Sequence, residues 1–189
     1  MNCLKRVTIK NFTTMKNLMY LFFLAGILLF SACDKAEFET AIAEDSELKS
    51  AKMVMNFRAH LSGKEVLINP ETDGTGQALF QVSKDGTELH YKVILANIEN
   101  VTMAHIHLAP AGTNGPVVVW LYPAAPPAVL LPGRTDGIVA EGVIKQSDLR
   151  GLLAGQPFSK LIEEIAAGNT YVNVHTSQYP TGEIRGQIR

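Results

Sequence analysis

The sequence contains few cysteines: only Cys3 and Cys33 are present, and both precede the region in which apolar and polar residues alternate. That later region therefore has neither a disulfide nor a thiolate metal site. It also lacks a CxxC pair, a phosphate-binding glycine loop and a nucleophile elbow. These absences leave no legible catalytic set, so no catalytic residue is assigned and a hydrolase is disfavoured.

Basic residues are scarce after the N-terminus. Four of the 17 lysines and arginines lie before residue 17, whereas no acidic residue precedes Asp34. Removing those four leaves 13 basic against 18 acidic residues, a net charge of −5. Such a chain has no basic stripe to neutralise phosphates, which argues against nucleic acid as a partner.

An uncharged apolar run, LMYLFFLAGILLF, occupies residues 18–30. It is shorter than the roughly 20 residues that a transmembrane helix needs, and Lys16 precedes it as a signal-peptide n-region requires. The pattern predicts a signal peptide over residues 1–32, starting at Met1 or Met15. An uncleaved N-terminal anchor helix is the alternative, and either reading places the rest of the chain outside the cytoplasm.

The residues after the apolar run indicate lipid attachment. Phe30-Ser31-Ala32-Cys33 resembles a lipobox, although that pattern prefers leucine where Phe30 stands. The resemblance implies that Cys33 is lipidated, becomes the mature N-terminus and tethers the protein to a membrane of the cell envelope, on its periplasmic or outer face. Residues 33–52 follow with six acidic residues, and this composition predicts a flexible acidic tether.

Short segments of period-two alternation fill residues 53–189 and predict one antiparallel β-sandwich domain. The strands are predicted at residues 53–61, 77–82, 88–95, 103–108, 117–122, 171–175 and 183–188. Prolines and glycines predict a long irregular loop over 123–137. Residues 147–167 are predicted to be a helical insertion, with Ser147 capping a first helix and Gly168 ending a second one at Ser159–Ala167.

Two histidines lie two residues apart, at His105 and His107, and side chains at that spacing on a strand point to the same face. The alternation places Ala104 and Ile106 in the core, so the histidines face away from it. His175 also faces outward on its own strand. If the two strands are neighbours, the three imidazoles converge into a zinc or copper site.

A structural role is the alternative for these histidines, because outward imidazoles can hydrogen-bond to loop backbone and hold the turn at residues 111–116. His60 and His90 each lie beside a basic residue, a poor setting for a cation, and no role is assigned to them. Glu183 and Arg185 share a face of the last strand, where the sequence predicts a weak ion pair on a solvated surface.

Three segments resemble the CHRD domain, first described in chordin: FRAHLSGKEV at 57–66, TMAHIHLAPAGTNGPVVVWL at 102–121 and YVNVHTSQYPTGEIRGQ at 171–187. The chain departs from the family pattern at Leu67–Pro70, where a proline pair is common, and at Ala109, where glycine is usual. The resemblance implies a secreted β-sandwich and no settled activity. The His-x-His at 105–107 before a glycine-rich turn is also similar to copper/zinc superoxide dismutase, so we expect an immunoglobulin-like or superoxide-dismutase-like sandwich.

Two hypotheses for function follow. The first is a non-enzymatic, membrane-tethered binding or structural module whose partner is an unidentified extracellular protein or ligand. The second is a zinc- or copper-binding protein that uses His105, His107 and His175, with redox activity as an option if the ion is copper.

Overall fold

The computed structural model describes residues 55–189, so the predicted signal peptide, Cys33 and the tether at 33–52 lie outside the described residues. Within this range strands account for 49% of the residues and helices for few, which confirms the mostly β, antiparallel prediction. The strands are β1 (Asn56–Ser62), β2 (Thr75–Val82), β3 (Leu89–Leu108), β4 (Val117–Tyr122), β5 (Leu131–Ile144), β6 (Thr170–Thr176) and β7 (Ile184–Gln187).

The long strand β3 belongs to two parts of the sheet. Its first half pairs with β2 and β5, and its second half pairs with β4 and β6. β7 pairs with β6, and β1 pairs with both β2 and β7, so β1, β2, β3, β6 and β7 form a closed ring. Two backbone hydrogen bonds between Arg58 and Arg189, of 2.8 and 2.9 Å, strengthen the closure. All pairings are antiparallel.

The sequence predicts two strands where the structure has the single strand β3. Residues 96–102 lack regular alternation, and Asn97 and Asn100 have positive φ angles of 56° and 55°. Asparagine tolerates this left-handed conformation better than most residues. The register of β3 against β5 shifts at these points, so β3 bends without ending and passes from one part of the sheet to the other.

The predicted loop at 123–137 is too long, because β5 begins at Leu131. Its pairing with β3 is interrupted by register shifts, and most of its side chains are exposed, including Ile138 at 57%. An edge strand of this kind has no hydrophobic alternation, since it buries little on either face. The sequence pattern therefore gave no signal for it.

The helical insertion is only partly as predicted. The second helix, α1, spans Phe158–Ala166 and is followed by Gly168 with a φ of 73°, which confirms the glycine cap. The predicted helix capped by Ser147 is wrong: two 3₁₀ turns, Gln146–Asp148 and Gly151–Leu153, stand there instead. Gly151 has a φ of 54°, which interrupts a right-handed helix between them.

The core lies inside the closed ring and is apolar. Its fully buried side chains include Leu89, Leu95, Ile98, Ile106, Leu121, Ile144, Leu161, Ile165, Ile184 and Ile188. Leu161 and Ile165 come from α1, so the helix packs against the ring through one apolar face. Among the described residues, no helix is long and apolar enough to cross a membrane.

Candidate metal centre

The pairing of β3 with β6 brings the three candidate histidines together. His105 lies opposite Asn173, His107 opposite Tyr171, and His175 opposite Met103. Residues opposite each other in an antiparallel ladder share a face, so all three imidazoles stand on the side away from Ile106 and Val172. One ring nitrogen from each histidine lies within 4.8 Å of the other two.

The three histidines are buried, which the sequence did not predict. His105 is 3% exposed, His107 9% and His175 7%, although all three face away from the hydrophobic core. The side chains that cover or flank them include Trp120, whose ring meets that of His105 edge to face at 4.2 Å. Tyr171 stacks on His107 at 4.8 Å. The outward face that carries the histidines is thus a second interior region of the molecule.

Backbone carbonyls set the tautomers of two histidines. His107 Nδ1 donates to the carbonyl of Gly115, and His175 Nδ1 donates to the carbonyl of Pro180, each at 2.9 Å. A carbonyl oxygen can only accept, so in both neutral rings the hydrogen is on Nδ1 and the lone pair is on Nε2. This bond between the far ring nitrogen and a carbonyl is the usual support of a metal-ligating histidine.

His105 is held by another histidine. Its Nδ1 lies 3.3 Å from His175 Nε2, and because that nitrogen carries a lone pair, His105 Nδ1 is the donor. That bond uses Nδ1 of His105 and leaves Nε2 as the nitrogen that carries its lone pair.

The environment keeps the imidazoles neutral. Burial, together with the neighbouring His175 and His107, lowers the pKa of His105 to about 3. Burial likewise lowers the pKa of His107 to about 4, against the opposing effect of its bond to Gly115. Burial lowers the pKa of His175 as well. Neutral imidazole is the form that binds metal, so no proton must leave these rings near neutral pH.

Arg185 fixes the loop that covers His107. Its guanidinium donates to the Asn114 side-chain oxygen at 3.1 Å and to the Thr113 carbonyl at 2.7 Å. It also lies 3.3 Å from the centre of the Tyr171 ring. The turn at 111–116 that the sequence predicts is thereby anchored to β7, and its Gly112 has a positive φ of 76°.

The predicted solvated ion pair between Glu183 and Arg185 is wrong. The two residues are 6% and 3% exposed, and their charged groups have separate partners. Glu183 accepts hydrogen bonds from the hydroxyls of Thr72 and Thr176, both at 2.6 Å. The loop of residues 67–74 covers Glu183 and the turn at 111–116 covers Arg185, and no alternation pattern reports such coverage.

Sequence reasoning missed Asn173 as a member of this site. Asn173 is 6% exposed, and its Nδ2 lies 3.3 Å from His175 Nε2. The signal was present, because Asn173 and His175 are two residues apart on one strand and so share a face. His60 on β1 and His90 near the start of β3 are exposed and do not join the cluster.

The fold and this site define a class of protein: a closed antiparallel β-domain that buries a three-histidine cluster outside its hydrophobic core. The family model for the CHRD domain matches residues 57–188, so the chain belongs to the CHRD family. This confirms the resemblance that the three sequence segments indicate. No curated protein and no solved structure matches the chain.

Proposed function

We propose that this protein is a metal-binding CHRD module, with His105, His107 and His175 as ligands of one zinc or copper ion. The observation that carries the proposal is the convergence of three ring nitrogens, within 4.8 Å of one another, in a buried site. Three histidines form a common ligand set for zinc, and imidazole also suits copper.

The hydrogen bonds of the cluster support a metal more than a purely structural role. Two rings use Nδ1 for backbone carbonyls, which directs both Nε2 lone pairs inward. The Nε2 atoms of His105 and His107 are buried without any hydrogen-bond partner. An unpartnered buried acceptor costs about 1–3 kcal/mol, and a bound cation would remove that cost.

Membership in the CHRD family supports a non-enzymatic binding or structural module as the general class. The second candidate is accordingly a module in which the histidines only hold loops. The bonds from His107 to Gly115 and from His175 to Pro180 favour it, because each fixes a loop that borders the site. In that reading the protein binds a protein or ligand through another surface.

Metal content decides between these two functions. We expect the full chain, purified in detergent and dialysed against micromolar zinc or copper, to retain about one ion per chain, as three converging ligands imply. The double variant His105→Ala/His107→Ala should lose the ion, whereas the matched control His60→Ala/His90→Ala should keep it. A wild-type chain that retains no metal would leave only the structural role.

The fluorescence of Trp120 provides an independent measurement of metal binding at this site. It is the only tryptophan in the chain, and its ring contacts the His105 ring. Copper bound at His105 should quench the fluorescence of Trp120 with the same stoichiometry as metal uptake. Quenching that persists in the His105→Ala/His107→Ala variant would show copper binding elsewhere.

We propose further that a lipid on Cys33 holds the module at a membrane outside the cytoplasm. The support is the uncharged run at 18–30 and the lipobox-like Phe30–Cys33 that follows it. The mass of the mature N-terminal peptide tests the anchor: it should begin at Cys33 with attached acyl chains, and Cys33→Ser should abolish both cleavage and acylation. The immunoglobulin-like or superoxide-dismutase-like topology also stays a prediction.

A further inference from the structure

The unpartnered polar atoms of the described domain are concentrated in one place. Four buried side-chain atoms lack a hydrogen-bond partner within residues 55–189, and three of them belong to the cluster: His105 Nε2, His107 Nε2 and Asn173 Oδ1. The fourth, Thr170 Oγ1, lies on the core-facing side of β6. In the tautomers assigned above, all three cluster atoms offer a lone pair and none offers a hydrogen. A cation bound in the cluster would give these unpartnered acceptors a partner.

Asn173 is positioned to act on the same ion as the histidines. It lies directly opposite His105 in the β3–β6 ladder and is 6% exposed. Its Nδ2 donates to the carbonyl of Thr181 at 3.1 Å and lies 3.3 Å from His175 Nε2. The Nδ2 end of the amide therefore faces the lone pair on His175 Nε2.

A cation on that lone pair would change the preferred orientation of the amide. The hydrogens of Nδ2 would then face a positive ion, whereas Oδ1 would be attracted to it. Rotation about the Cβ–Cγ bond exchanges the two atoms without moving the backbone. The rotation would break the bond from Nδ2 to the Thr181 carbonyl, and in exchange Oδ1, which lacks a partner, would gain a ligand bond to the ion.

Gly182 keeps the Asn173 amide in this position. Its φ is +125°, which side-chain-bearing residues rarely adopt, and its backbone packs directly on the amide. A Cβ at position 182 would collide with Oδ1, Nδ2 and Cγ of Asn173. The loop after β6 thus places a glycine where only a glycine leaves room for the amide beside the histidines.

We propose that Asn173 Oδ1 is the fourth protein ligand of the metal, completing a closed site of three nitrogens and one oxygen. This inference rests on the metal-binding function proposed above and extends it. Four protein ligands in tetrahedral geometry are typical of structural zinc, whereas catalytic zinc keeps one position for water or substrate. The oxygen ligand also favours a divalent ion over Cu⁺, which prefers softer ligands. The site then holds Zn²⁺ without an open coordination position.

Cobalt substitution tests the fourth ligand, because the visible absorption of Co²⁺ reports its coordination. In the full chain we expect the intense bands of tetrahedral Co²⁺, unchanged on addition of azide. Asn173→Ala should open one position, so that azide alters the spectrum, and should weaken Zn²⁺ binding about tenfold or more. Asn173→Asp keeps an oxygen ligand and should bind Zn²⁺ at least as tightly as the wild type.

Thr170→Val is the matched control, since it removes a buried unpartnered atom of the same strand on the opposite face. It should leave the Co²⁺ spectrum and Zn²⁺ affinity unchanged. An Asn173→Ala variant with wild-type affinity and spectrum would overturn the inference. A wild-type spectrum that responds to azide would also overturn it, even if Asn173→Ala failed to fold. A wild-type chain that binds neither Co²⁺ nor Zn²⁺ would instead refute the proposed function itself.

Discussion

The two faces of the β3–β6 pair are equally buried but chemically opposite. On the core face, Ala104, Ile106, Val172 and Val174 are each 0% exposed, and all are apolar. On the other face, the histidine cluster and Asn173 are between 3% and 9% exposed, and all are polar. The first face packs against the ring interior, whereas the second lies under loops. Burial by loops leaves lone pairs without partners, and that difference gives the second face its capacity to bind a cation.

Acidification should show the largest difference between the two faces, because only the polar face contains groups that titrate. The folded-state pKa values of His105 and His107 are about 3 and 4, below the ordinary value of 6.5. The unfolded chain therefore binds more protons below pH 6.5, so the free energy of unfolding of the metal-free protein should fall as the pH decreases. Each histidine contributes up to about 1.4 kcal/mol per pH unit.

Urea unfolding between pH 7 and pH 5 measures this effect above the range in which most carboxyl groups titrate. The variant His107→Asn should show a smaller slope than the wild type. Replacing the exposed His90 by Asn should leave the slope unchanged, since that side chain lies outside the cluster. A free energy of unfolding that stayed constant over this range would contradict neutral, buried imidazoles.

Truncation on the core face should give the next largest effect. Ile106 is 0% exposed and lies between the two histidines of β3. Ile106→Ala should lower the free energy of unfolding by about 2–5 kcal/mol, because it removes buried methylenes and leaves a cavity. Urea unfolding at pH 7 checks this. Leu79→Ala, at a position 40% exposed, is the control and should cost far less; equal losses would mean that the ring interior is loosely packed.

Substitution of a glycine beside the polar face should have a smaller effect on stability. Gly182→Ala adds a Cβ that meets the Asn173 amide at a φ of +125°, and strain of this kind costs about 1–3 kcal/mol. Gly86→Ala has a φ of +73° but nothing within 4 Å of the added Cβ. Gly86→Ala should lower the unfolding temperature less and leave the metal content unchanged. Gly182→Ala should reduce both the unfolding temperature and the metal content. Identical behaviour of the two variants would separate Gly182 from the site.

The fold was predictable where one side of a strand is buried and the other is not. The alternation at 77–82 and 88–95 identifies β2 and the start of β3, which the structure pairs with each other. Prediction from alternation failed at Asn97–Asn100, where β3 bends, and at Leu131–Ile144, where an edge strand buries little. Both failures arise because pairing with a distant strand, and not local pattern, defines the element.

The sequence predicts which face of the sheet the site residues lie on, but not that they are buried. Spacing alone places His105 and His107 on one face, and the structure adds that β6 is the neighbouring strand that brings His175. Period-two patterns report which side a residue faces, and they cannot report that the loops at 109–116 and 177–183 cover that side. The burial of Arg185 and the role of Asn173 were hidden for the same reason.

Ring closure constrains when this domain can fold. Residues 184–189 pair with both β6 and β1, so the first strand has no partner on that side until the last one has been synthesised. Contacts between such distant residues make folding slow. The β1–β2 hairpin can therefore pair early, whereas the ring closes only after residues 184–189 have been synthesised.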